Sequence, residues 1–271
     1  MMGNRPMYEN ARKIMLPATH RSGHHAVGVW LLHQAEGVDK FDIRTMCEWW
    51  NFLRMKNGVR FLFNNPLKHW QGDKSRFHSI MRGIWEGTMA RVENYPPEDV
   101  EMFIGTHERE TLKEVAWHCG KSDIFYITDM VLVIRSFHNW AASCVRYDNV
   151  NPGLPHPFDL EKDISIYIDH CRHALDGTVP HILYDEWFAS KQYRKEIADL
   201  LDLHFTDVAL NQTSPWGAGS SFDGFTYLKN ASEMNVLNRY KQMEDNEDYQ
   251  QIIQNNEEAI DLSNQLFGKV S

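Results

Sequence analysis

Residues 11–32 read ARKIMLPATHRSGHHAVGVWLL. A short apolar run, Ile14-Met15-Leu16, leads into the charged turn Thr19-His20-Arg21-Ser22-Gly23-His24-His25, and a second apolar run extends from Ala26 to Leu32. The first run has the length of a buried strand. The second carries Val27, Trp30 and Leu31 at helical spacing and suits a helix packed against a sheet. A glycine between strand and helix lets the backbone turn tightly and aim its free amides at one point, where the helix dipole also favours an anion. Arg21 adds a full charge with a hydrogen-bonding fork, and Ser22 adds a hydroxyl. A plain turn with its arginine in water is the competing reading, so the rest of the chain has to decide.

Working outward, Val100-Glu101-Met102-Phe103-Ile104-Gly105-Thr106 is a second candidate strand, followed by a helix from about Glu108 to Cys119. Val131-Leu132-Val133-Ile134 is the clearest buried strand, four apolar and mostly β-branched residues of the kind parallel sheets use. Asn139 to Tyr147 reads as helix, Asn151 to Pro157 as loop, and Ile164–Leu175 as helix. A strand is expected near His181–Tyr184 and a helix near Lys191–Leu203. Strands alternating with helices imply an α/β fold with a central, mostly parallel sheet, in which ligands sit beyond the carboxyl ends of the strands. Arg21-Ser22-Gly23, Thr106-His107 and Arg135 all fall at such ends.

Between these elements, residues 36–99 read as a helical insertion, rich in tryptophan (Trp49, Trp50, Trp70, Trp85) and broken by Asn64-Asn65-Pro66 and Tyr95-Pro96-Pro97. Residues 211–224 form a glycine- and serine-rich late loop, and residues 231–271 a polar helical tail. With 271 residues, 42% hydrophobic and 24% charged, the chain is expected to form one domain, 1–271, around a proper core. Its net charge of −9 argues against nucleic acid, so an anionic ligand needs a local cluster of cations. Four scattered cysteines with no CxxC pair suit packed thiols in a reducing compartment. The N-terminus has no signal-like apolar core and no stretch could span a bilayer, so a cytoplasmic protein is expected.

A second anion-suited element is Val133-Ile134-Arg135-Ser136-Phe137-His138-Asn139-Trp140-Ala141-Ala142-Ser143. Arg135 follows four buried residues and stands at the mouth of the sheet. Ser143, eight residues on, lies about two helical turns later and can face the same cavity. Together the two elements resemble the sulfotransferase family, enzymes that use 3′-phosphoadenosine 5′-phosphosulfate (PAPS). In that family a strand–loop–helix with a basic residue, Ser and Gly holds the 5′-phosphosulfate, and a later strand ending in Arg, with Ser eight residues on, holds the 3′-phosphate. Thr19-His20-Arg21-Ser22-Gly23 looks like the first and Arg135 with Ser143 like the second. Ile182 to Phe188, including Tyr184, is similar to the strand and helix ahead of the family's C-terminal segment. Gly217 to Gly224, with Ser220 and Ser221, looks like its late loop over the nucleotide.

The resemblance implies a P-loop-like three-layer fold, with PAPS as cosubstrate and no metal. It implies a small-molecule or glycan acceptor that the sequence does not identify, and it leaves oligomeric state open. His24 and His25 stand where many members carry hydroxyls that touch the phosphosulfate; each could donate from its ring or fill the helix. The late loop lacks the family's Arg-Lys-Gly signature. For the base that removes the acceptor's proton, His107 falls where the family's catalytic histidine usually does, with Glu108 as the rival and Arg21 as electrostatic clamp on the transferring group. His20, His24 and His25 suggest a metal site only weakly, because no carboxylate or cysteine stands beside them at ligand spacing. A P-loop phosphotransferase is the rival class, disfavoured by the absence of GxxxxGK[ST]; a non-catalytic nucleotide-binding protein of the same fold is a third reading.

Overall fold

The opening stretch folds as expected: β1 (Arg12–Ala18), a turn, and α1 (His24–Leu32). The computed structural model describes residues 11–40, 44–47, 50–54, 59–64, 100–121, 129–150, 159–213, 220–224, 226–227 and 229–269. In chain order come β2 (Arg44–Cys47), β3 (Trp50–Arg54), β4 (Val59–Asn64), β5 (Val100–Glu108), α2 (Leu112–Lys121), β6 (Asp129–Met130) and β7 (Leu132–Ile134). They are followed by α3 (Phe137–Val150), α4 (Leu160–Leu175), β8 (His181–Leu183), α5 (Tyr184–Ala189) and α6 (Lys191–Leu200). Two 3₁₀ segments (Ala231–Glu233 and Val236–Met243), α7 (Glu247–Asn255) and α8 (Glu257–Phe267) complete the order.

One eight-stranded sheet runs β2-β3-β4-β5-β1-β7-β8, with β6 also against β1. β4, β5, β1, β7 and β8 pair in parallel, while β2, β3 and β4 form an antiparallel edge. β1 lies at the centre, with Ile14, Met15, Leu16 and Ala18 fully buried, which is why its run is apolar on both faces. One apolar layer joins the sheet to α1, α5 and α6 through Trp30, Trp187 and Ile197. The other joins it to α3, α4, α7 and α8 through Phe137, Trp140, Tyr167 and Ile252. The result is the expected three-layer, mostly parallel α/β fold, and the two 3₁₀ segments with α7 and α8 pack along its C-terminal part.

The described segments within 44–64 depart from the expected helical insertion by forming three strands. Trp50-Asn51-Phe52-Leu53-Arg54 pairs residue for residue with Val59 to Phe63, and β4 then pairs with β5. Pairing of this kind depends on a non-local neighbour, which local pattern underweights. Arg60 is buried there because its Nη1 donates to Gln34 O at 2.8 Å and its Nη2 to Glu101 Oε1 at 2.6 Å. β5 runs through Glu108, so His107 lies within the strand and not past it. The left-handed φ of 68° at Arg109 separates that strand from α2, which begins later than the sequence suggested. Residues 65–99, the 151–157 loop, Trp49 and residues 214–219 of the late loop lie outside the described residues.

Candidate active site

The turn after β1 is shaped by two left-handed residues, Arg21 (φ 63°) and Gly23 (φ 87°). Gly23 is the N-cap of α1, provides no capping side chain, and no acidic residue sits in the first turn. The leading N–H groups of a helix have no intrahelical partner, so this end offers backbone donors and the positive end of a dipole to an anion. Trp140 Nε1 donates to His20 O at 2.7 Å and ties the turn to α3. The Arg21 guanidinium lies 4.8 Å from the centre of the Tyr147 ring. Burial lowers its pKa from the ordinary arginine value, with the Cys144 thiol opposing and the Arg135 charge adding to the shift.

Arg135 and Ser143 meet as the eight-residue spacing implied: Arg135 Nη1 donates to Ser143 Oγ at 2.7 Å. Both are buried. Arg135 Nη2 donates to Val236 O at 2.9 Å, and Asp185 Oδ1 stands 3.9 Å from its Nε. The Tyr184 ring lies below this guanidinium at 5.4 Å and also covers Gly23, where an added Cβ would stand 2.3 Å from the ring. Tyr184 therefore joins the turn to the Arg135 pair, as a wall between them.

The tail brings a cation that the sequence reading missed. Arg239 is buried, and its Nη2 donates to Ser220 Oγ at 2.7 Å and to Asp223 Oδ2 at 3.0 Å. Burial lowers its pKa to about 10, with the neighbouring Arg135 charge adding to the effect. The Nε atoms of both arginines are buried without a hydrogen-bond partner among the described residues. Two buried guanidinium groups that repel one another can together hold an anion, although Asp223 and Asp185 already offset part of their charge. Nothing local marks Arg239, since it sits in a polar 3₁₀ segment and reaches Ser220 only through tertiary folding. Ser221 is half-buried, and its Oγ has no hydrogen-bond partner among the described residues.

A third cluster forms where β5 ends against α1. His24 Nδ1 is 3.0 Å from Ser22 Oγ, and its Nε2 is 3.0 Å from Glu108 Oε1. His25 Nε2 lies 4.0 Å from the same oxygen. Burial pushes the Glu108 carboxyl up, but contact with His24 and the charges of His24, His25 and His20 outweigh it, holding the group well below the usual carboxylate range. The expectation that no carboxylate stands beside these histidines is thus corrected: the fold delivers Glu108 from another strand. His107 alternates to the opposite face of β5 from Glu108. It is fully buried there, with Nδ1 3.1 Å from Glu110 Oε2. The two residues read as rivals for one role therefore occupy different sides of the sheet.

A cavity of about 1050 Å³ opens between α3, α4 and α7, lined in part by Cys144, Asp148, Ile164, Asp169 and Ile252. Cys144 links it to the turn, because its thiol interacts with the Arg21 charge. Among the described residues, no helix is long and apolar enough to cross a membrane.

No protein-family model matches the chain, and no curated protein matches it. Among solved structures, the sulfotransferase domain from the Synechococcus PCC 7002 olefin synthase is similar, with a TM-score of 0.52 and 14% identity over 98% of each chain. The sulfotransferase domain from the curacin biosynthetic pathway gives a TM-score of 0.46 and 11% identity, over 91% of this chain and 98% of that one. Mouse sulfotransferase SULT7A1, complexed with PAP, gives 0.43 and 14%, over 94% of this chain and 89% of that one. The first of these likenesses extends over nearly the whole chain and shows that the fold is that of a sulfotransferase domain.

Proposed function

We propose that this chain is a PAPS-dependent sulfotransferase. The observation that carries the reading is the pair of anion cradles at neighbouring strand ends: the uncapped glycine turn of α1, and buried Arg135 with Ser143, separated by Tyr184. A nucleotide with phosphate groups at two ends of its ribose asks for two such cradles at a fixed separation. In this reading the turn of Arg21, Ser22 and Gly23 holds the phosphosulfate, with His24 and His25 beside it. Arg135, Ser143 and Arg239, with Ser220 and Ser221 near it, hold the 3′-phosphate. Arg239 supplies the second positive charge that the late loop lacks.

In the reaction the acceptor oxygen or nitrogen attacks sulfur in line. The new bond to sulfur forms as the bond from sulfur to the 5′-phosphate oxygen breaks, and the acceptor's proton goes to the base. Arg21 and the α1 amides stabilise the charge left on the departing bisphosphate. His107 is the base in this scheme, with Glu110 Oε2 standing 3.1 Å from its Nδ1 to orient the ring. The cavity beside Cys144 is the proposed entry for a small-molecule or glycan acceptor.

Thermal stabilisation by adenosine 3′,5′-bisphosphate and by ADP, in wild type and Arg135→Ala, tests the nucleotide assignment. At a hundred times its dissociation constant a ligand stabilises by about 2.7 kcal/mol. Stabilisation by the 3′-phosphorylated nucleotide alone, lost in Arg135→Ala, is the expected result. Equal stabilisation by ADP, or none by either, would discard it.

A further inference from the structure

We propose that His24, His25 and Glu108 bind a divalent transition-metal ion of the zinc class. Two imidazoles and one carboxylate are a donor set that such ions take, leaving a further position for water or an anion. The three ligand atoms, one from each residue, all lie within 4.8 Å of one another. Metal–ligand bonds of about 2.0–2.2 Å in a tetrahedron place the ligand atoms about 3.3 Å apart. His24 Nε2 and Glu108 Oε1, at 3.0 Å, already match that spacing, and His25 Nε2, at 4.0 Å from the same oxygen, has a short swing to make.

Two further observations favour a metal over a simple ion pair. His24 Nε2 is buried and makes no hydrogen bond among the described residues, although Glu108 Oε1 stands 3.0 Å away. That is the relation expected of two donors aimed at a common third point. Ser22 Oγ, 3.0 Å from Nδ1, engages the other nitrogen of the same ring, the kind of outer contact that fixes the tautomer of a ligating histidine. His25 is the more exposed ring and provides the way in.

The positive end of α1 and the Arg21 charge both work against a lone cation here. Glu108 is the group that offsets them, so the ion depends on that carboxylate more than on either ring.

The test is uptake of Zn²⁺ by equilibrium dialysis, with the visible absorption of Co²⁺ as a second probe, on the whole chain without nucleotide. Leaving the nucleotide out makes the result independent of the transferase reading. One equivalent per chain is expected in wild type. Affinity should fall at least about tenfold in Glu108→Gln and in His25→Ala. His173→Ala, at an exposed histidine 3.8 Å from Asp169, should leave uptake unchanged. Glu108→Gln preserves shape, so it remains informative if His25→Ala loses folding. Equal uptake by wild type and Glu108→Gln, or wild type showing no Co²⁺ band, would overturn the proposal.

Discussion

Gly23 carries two constraints at one Cα. Its φ of 87° is costly for any residue with a Cβ, by about 1–2 kcal/mol, and an added Cβ would stand 2.3 Å from the Tyr184 ring. Gly23→Ala is therefore expected to lower the melting temperature and to weaken the response to adenosine 3′,5′-bisphosphate. Gly23→Ala with Tyr184→Ala relieves the clash but not the dihedral, so differential scanning calorimetry should show only part of the strain recovered. Arg239 makes the contrasting case. Arg239→Met keeps much of the stem's packing while removing a buried charge near Arg135, and should abolish most of the stabilisation by the same nucleotide. Retained stabilisation in that variant would remove Arg239 from the 3′-phosphate assignment. Gly23 was legible because a glycine between two apolar runs has a local reason to be there. Arg239 was not, because its partners Ser220 and Asp223 come from a different loop.

At the scale of elements, the ends of helices do most of the positioning. The backbone N–H of Phe137, at the start of α3, donates to Ser263 Oγ of α8 at 3.0 Å. Ser263→Ala should cost on the order of 1 kcal/mol by leaving that donor unpaired, which chemical denaturation would measure. On α4, His170 contacts Glu110 O through Nε2 at 3.1 Å, just after β5. Burial lowers its pKa from 6.5 to about 4, against the pull of nearby Asp169. As pH falls below 6.5 the unfolded chain takes up a proton that the folded imidazole refuses until about pH 4. This residue's share of stability is complete above pH 6.5 and is lost across that window, by roughly 3 kcal/mol. His170→Gln can still donate to Glu110 O without titrating, so its melting temperature should fall less than wild type's between pH 7 and pH 4.5. Parallel pH slopes would show that His170 contributes nothing there. The strand and helix order was legible from apolar runs and their spacing, whereas β2, β3 and β4 were not, since their stability lies in pairing with β5 and with each other.

Across the whole molecule the tail is structural. Met243, Tyr249, Ile252 and Ala259 belong to the core that buries Trp140 and Tyr167, and Val236 O holds Arg135. Truncation after residue 244 is expected to remove the cooperative thermal transition and the near-ultraviolet circular dichroism of the packed tryptophans. A truncated chain that melts cooperatively would show that the tail only covers the site. The sequence alone determined the α/β class, the glycine turn after β1 and the Arg135–Ser143 pair. Each depends on neighbours within a few residues or on the fixed geometry of a strand followed by a helix. Tertiary structure alone decided that Glu108 stands with His24 and His25 while His107 faces the other side, and that Arg239 joins Arg135. The alternation of a strand separates adjacent residues, and chain segments far apart in sequence meet only where the core has to close.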